Sequence, residues 1–240
     1  MSRFLFGLIL IASLAGCQNQ TATTLPTPTP LTVEITPALH WLKPMMAECA
    51  VEIPALALTV RSKVQTNQSL DDADILFQWS ETASEQGYIL KLGEELLAIV
   101  VHPENPVEEM DKAQLTAIYS GTITSWSELS DSGVGIIQPW VYPSSEDSQI
   151  LFGSQVLANE EIVTTALLAP DPDTMLDAIR EDPQAIGFIP ARWLDSSAKS
   201  IPVIDYANSD LTAPILAVTG EEPGSLTREW LLCVQENMQP

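Results

Sequence analysis

The side chains best placed to do chemistry in this chain are three cysteines, two histidines and a scatter of acids. Cys17 follows Leu14-Ala15-Gly16, behind an apolar run over residues 4–14 that Arg3 precedes. A basic start, an apolar core and small residues before a cut make a secretory leader. The run is too short to span a bilayer, which needs about 20 apolar residues. Outside the cytoplasm the other two thiols, Cys49 and Cys233, can either join in a disulfide or remain separate and buried. Each lies on an apolar stripe at helical spacing: Leu39, Leu42, Met46, Cys49 in one segment and Leu226, Trp230, Cys233, Val234 in the other. His40 and His102 have no Cys or His companion at ligand spacing, so no metal site is expected. There is no Gly-rich phosphate loop, no Gly-x-Ser-x-Gly elbow and no nucleophile–base set. The sequence therefore predicts neither an enzyme nor a cofactor.

The chain carries a net charge of −22, which becomes −23 when the leader takes Arg3 with it. Such a surface is repelled by nucleic acid and by anionic headgroups, which excludes nucleic-acid binding. The acidity suits solubility or a salty medium. A hydrophobic fraction of 45% supplies a real core. Residues 18–30 are Thr- and Pro-rich, cannot pack, and read as an extended tether.

Beyond the tether, strands and helices alternate. Strands are expected at residues 31–35, 56–60, 74–79, 96–101, 136–141, 186–189, 201–204 and 215–218. Helices are expected at 37–50, 111–120, 146–157, 159–169, 173–181 and 225–237. Thr36-Pro37 opens the first of these, Asn159 caps the fourth, and Gly121 ends the second. Apolar strands alternating with helices imply an α/β fold with parallel or mixed sheets covered on both faces.

Two resemblances add to this reading. Leu-Ala-Gly-Cys at 14–17 resembles the lipobox of bacterial lipoproteins. That implies cleavage before Cys17, acylation of its sulfur, and anchoring of the chain outside the cytoplasm. Two or three acyl chains, at about 0.8 kcal/mol per buried CH₂, would hold it stably. An ordinary secretion signal with an incidental Cys is the alternative. Further on, three segments in order resemble the phosphate-binding proteins of bacterial ABC importers: Ile99-Val100-Val101-His102-Pro103-Glu104-Asn105-Pro106-Val107, then Ile118-Tyr119-Ser120-Gly121-Thr122-Ile123-Thr124-Ser125-Trp126, then Asp182-Pro183-Gln184-Ala185-Ile186-Gly187-Phe188-Ile189. The likeness implies a two-lobed type II periplasmic-binding-protein fold with a hinge. On that reading the leader is 1–16, the tether 17–30, lobe one 31–105, lobe two 106–195, and 196–240 returns to lobe one. Pro103 and Pro106 would flank the hinge, and Cys49 and Cys233 would share a lobe.

The resemblance also implies a function: binding a small solute, phosphate or another oxyanion, and delivering it to an ABC permease from a lipid-anchored position at the membrane. A binding fold that has lost its site and serves as a sensory or surface-interaction module is the alternative. Carried over residue by residue, Thr36 and Ala38 match the family's first ligand loop, with Pro37 removing one N–H. Asp74 matches the acid that receives a phosphate proton, or is a plain strand-edge acid. Tyr142 falls where the family has Arg, and Glu146, Asp147 and Ser148 fall on its Ser-Gly-Thr. Two acids there either cap a helix or repel an anion. Trp79, Trp140 and Tyr142 either line a pocket for an organic ligand or pack in the core.

Overall fold

The computed structural model describes residues 27–64, 68–80, 87–133, 135–158, 160–204 and 211–238. The leader, Cys17, most of the tether and the Asn159 cap lie outside the described residues.

Among the described residues, nine strands form one curled sheet in the order β2-β1-β3-β9-β4-β7-β5-β6, with β8 also on β4. β1 (Thr29–Ile35), β2 (Leu56–Ser62) and β3 (Ile75–Trp79) lie parallel to one another. β9 (Thr212–Thr219) runs antiparallel to β3 and to the first part of β4 (Tyr88–Val101). That half is lobe one. The second part of β4 pairs with β7 (Ala185–Pro190) and β8 (Lys199–Ile201), and β7 leads on to β5 (Gln138–Val141) and β6 (Leu167–Leu168). That half is lobe two.

β4 is one strand in two lobes. Tyr88 through Leu96 bond to β9, and Leu97 through Val101 bond to β7. The crossing expected near Asn105-Pro106 therefore moves back to Leu96-Leu97. Residues 102–107 form a turn on the lobe-two side, where Asn105 N–H bonds His102 O and Asn105 Oδ1 accepts from Val107 N–H. The return also comes later than residue 196, because β8 still pairs with Ile99 to Val101. The reason is local: a polar stretch with a bulge between Lys91 and Gly93 hides the strand period in the first part of β4.

Helices cover the sheet. The expected helix over 37–50 divides into a 3₁₀ turn, Pro37–Leu42, and α1 (Lys43–Val51). Pro44 sits in the first turn of α1, where its missing N–H costs nothing but a continuous helix through it would clash. α2 (Lys112–Tyr119) starts on a reciprocal capping box, Asp111 with Gln114, and Gly121 follows its end at φ +79°. α3 (Asp147–Phe152) runs on into a π turn, Gly153–Leu157. α4 (Pro172–Glu181) is capped by Asp171. α5 (Ser225–Met238) closes the described chain. The helix expected over 159–169 is absent among the described residues. Val163 N–H bonds Tyr119 O, Ala169 N–H bonds Val141 O, and Leu167–Leu168 add to the edge of β5 instead.

Cys49 on α1 and Cys233 on α5 are joined by a disulfide, with Cα atoms 5.8 Å apart in space and a separation of 184 in sequence. Closing so long a loop stabilises a fold by about 5 kcal/mol in the chain-entropy model. Trp230 of α5 is fully buried and donates to Met46 O of α1 at 3.1 Å. The disulfide and this contact bind the two helices to one face of lobe one.

Candidate functional site

The site follows from strand direction. β1 and β3 are parallel, so both end on the same side of lobe one. β1 runs out at Ile35 and delivers Thr36; β3 runs out at Trp79. Thr36 keeps extended backbone, φ −76° and ψ 158°, before Pro37 starts the 3₁₀ turn. Its hydroxyl makes no bond to that turn and is left for a partner elsewhere. Across the gap, Tyr142 follows β5, and Glu146 opens α3.

The two sides meet on one oxygen. Thr36 Oγ1 donates to Asp147 Oδ2 at 2.6 Å, and Trp79 N–H donates to the same oxygen at 2.9 Å. Glu146 folds back on its own helix, where Oε2 accepts from Ser148 N–H at 2.7 Å and Gln149 N–H at 3.3 Å. Gln149 in turn accepts from Tyr142 N–H at 3.0 Å, fixing the approach to the helix. Thr36, Glu146, Asp147 and Ser148 are at most 1% exposed. Four buried atoms here lack a hydrogen-bonded partner: Tyr142 Oη, Glu146 Oε1, Asp147 Oδ1 and Ser148 Oγ. Ser148 Oγ lies beside the Glu146 carboxylate but outside bonding geometry.

Burial governs the electrostatics. It pushes the Asp147 carboxyl up to about 7, against the Thr36 and Trp79 bonds that favour the anion. Burial, then the neighbouring Asp147, push Glu146 up to about 8. The Tyr142 phenol is raised far above its ordinary range, again by burial first. Neither acid pairs with a Lys or Arg among the described residues. The site therefore combines neutral donors from lobe one with costly, half-satisfied carboxyls from lobe two.

Of the residues expected at the site, Thr36, Tyr142 and Ser148 come together with Asp147. Ala38 is buried in the next turn, and its carbonyl accepts from Trp193 Nε1 at 2.8 Å. Asp74 does not join them. It stands at the opposite end of five-residue β3 from Trp79, roughly 16 Å away at about 3.3 Å per residue. There it is exposed and accepts from Thr32 N–H at 2.7 Å. The aromatic side chains serve packing. Trp79 is buried and donates from Nε1 to Ala213 O, and the Tyr142 ring lies edge-on to Phe188. The Trp79 backbone N–H is a donor that no side-chain pattern announces.

The segments that carry the resemblance lie behind the site and build lobe two. Tyr119 Oη donates to Trp140 O and Ile186 O, and Trp126 Nε1 donates to Gln184 O. At Gly187 a Cβ would fall 2.4 Å from Met175 Sδ, so any larger residue there would make the Met175 side chain of α4 move aside.

A family model described as a PBP superfamily domain matches residues 84–225. The chain belongs to the PBP superfamily. This PBP-superfamily chain is 24% identical over 154 residues to the phosphate-binding protein PstS of Staphylococcus aureus (strain USA300), a match covering 61% of this chain. It spans 45% of the length of that curated relative. Among solved structures it resembles an ABC-type phosphate transport receptor from Vibrio cholerae, with TM-score 0.67, 21% identity and coverage of 86% of this chain and 93% of that one. A putative phosphate ABC transporter substrate-binding protein from Clostridium perfringens, solved with bound phosphate, gives TM-score 0.74 at 17% identity with the same coverages. A Corynebacterium glutamicum OxyR mutant gives TM-score 0.63 at 14% identity, covering 89% of this chain and 66% of that one. The phosphate-named relatives are a binding protein, a transport receptor and a substrate-binding protein, not enzymes. Likeness at this identity establishes the shared fold.

Proposed function

We propose that this chain is an extracytoplasmic solute-binding protein, anchored through lipid on Cys17, that carries a small ligand of oxyanion or carboxylate character to an ABC permease. One observation carries the reading: a hydroxyl and an N–H from lobe one converge on a single carboxylate oxygen from lobe two. Two fixed neutral donors buried between the lobes suit the oxygen of an anion. Thr36, Tyr142 and Ser148 are the proposed contacts, with Ala38 supporting the Thr36 loop. Names of the relatives point the same way, toward phosphate.

Thermal unfolding against phosphate, sulfate, small carboxylates and amino acids tests the proposal. A ligand at 100 times its dissociation constant adds about 2.7 kcal/mol of stability. A panel without any shift overturns it. For the anchor, intact-mass analysis of the membrane fraction should find a lipid-modified peptide starting at Cys17, and Cys17→Ser should release the chain.

The second reading, a binding fold that senses or docks without transport, has its own support. The place an anion would take is filled by Asp147.

A further inference from the structure

The interlobe contact has the composition of a bound complex, with both partners supplied by one chain. Thr36 and Trp79 are 111 and 68 residues away from Asp147 in sequence, and both donate to its Oδ2. The first α3 amides are also occupied, since Ser148 N–H and Gln149 N–H both turn to Glu146 Oε2. An entering oxyanion would find the donors on both sides committed to the chain's own carboxyls. It would also meet Glu146 Oε1 and Asp147 Oδ1, two acceptor atoms already buried without a donor. In their ionised form these carboxyls oppose such a ligand twice over, by like charge and by acceptor facing acceptor.

We propose that Asp147 is an internal ligand: its carboxylate occupies the oxyanion position between Thr36 and Trp79, latches lobe two onto lobe one, and thereby excludes free phosphate. Asp147 is a specificity determinant, and Glu146 fixes it by capping the helix that carries it. The inference rests on the cleft being the solute site, but its first readout does not require any solute. A carboxylate that leaves its two donors unlatches the lobes and frees those donors together, so opening and anion entry are coupled.

Small-angle scattering without ligand and calorimetric titration with inorganic phosphate test this on the whole protein, with Asp147→Ser and Asp147→Asn. Serine is too short to reach Thr36 and Trp79. The Asp147→Ser protein should show a larger radius of gyration and bind phosphate at least tenfold more tightly than the wild type. Asparagine keeps an acceptor oxygen, so that variant should stay compact and bind phosphate no better than wild type. Thr36→Val removes a donor from the other lobe and should open the protein if Asp147→Ser fails to fold. Equal radii for the wild type and both opening variants overturn the latch. So does measurable wild-type phosphate binding with an affinity equal to that of Asp147→Ser. Opening by Asp147→Ser with no phosphate binding in the wild type or any variant upholds the latch and removes the oxyanion-transport reading instead.

Discussion

Two buried carboxyl sites in this molecule are solved differently. At the hinge, Glu95 is 3% exposed and meets Arg192: its Oε1 accepts from Arg192 N–H at 3.2 Å, and Arg192 Nε lies 3.6 Å from Oε2. The Arg192 guanidinium also lies over the Trp41 ring and donates to Met238 O. Between the lobes, Glu146 and Asp147 are as deeply buried but hold only neutral donors. The hinge acid faces a guanidinium that is itself held by a ring and a backbone carbonyl. The interlobe acids are held by hydrogen bonds that any other anion could also make. Permanent structure and exchangeable contact are thus told apart by what faces the carboxyl, rather than by its depth.

The largest expected effect is on pH dependence. Folding raises Glu146 from 4.5 to about 8, Asp147 from 3.8 to about 7 and Glu95 from 4.5 to about 7. Between the unfolded and folded values the native state holds protons that the unfolded chain has lost. Stability should therefore be highest near pH 4 and fall by several kcal/mol as pH rises to 8. Urea unfolding across that range measures it. Glu146→Gln with Asp147→Asn should flatten more of the slope than Glu95→Gln; the reverse ranking would erase the contrast between the two sites.

Next comes Arg192→Ala. Removing one partner of a fully buried pair costs roughly 3–5 kcal/mol. Arg192 is part-exposed, so about 2–3 kcal/mol is expected here, read from the urea midpoint at pH 8. Thr36→Val should cost about 1 kcal/mol, a fall of about 2–4 °C in Tm for a chain of this size. Tyr142→Phe should be smallest, within about 0.5 kcal/mol, because the hydroxyl it removes has no partner. Should that variant nonetheless lose solute binding, Tyr142 belongs to the ligand shell.

Much of the architecture was legible. Ile118, Tyr119, Gly121 and Trp126 are constrained by packing and turn geometry, so their types and spacing betray the lobe they build. The apolar halves of β1, β3, β4 and β9 were visible for the same reason. The first part of β4 was not, because Lys91, Gly93, Glu94 and Glu95 break its apolar pattern at the bulge. Residues 159–169 mimic a helix in composition, yet their backbone groups are drawn to Tyr119 and Val141. At the site, the positions of Tyr142, Glu146, Asp147 and Ser148 came from the resemblance. Asp74 lies at the other end of β3 from Trp79, and a strand's sequence does not say which end faces a neighbouring lobe. Two features lay beyond any sequence reading: a main-chain N–H at Trp79, and a carboxyl reaching across from a segment 111 residues away.

β4 has a mechanical consequence. Since this strand passes from one half to the other without interruption, the halves are not hung on a loose pivot. They share a beam, clamped along its length by ladders on either side of Leu96-Leu97. Movement must come from flexing and twisting that beam, which resists in proportion to the angle and springs back. The molecule should behave as sprung tweezers, with a rest position set by the strand and a grip set by whatever lies between the tips.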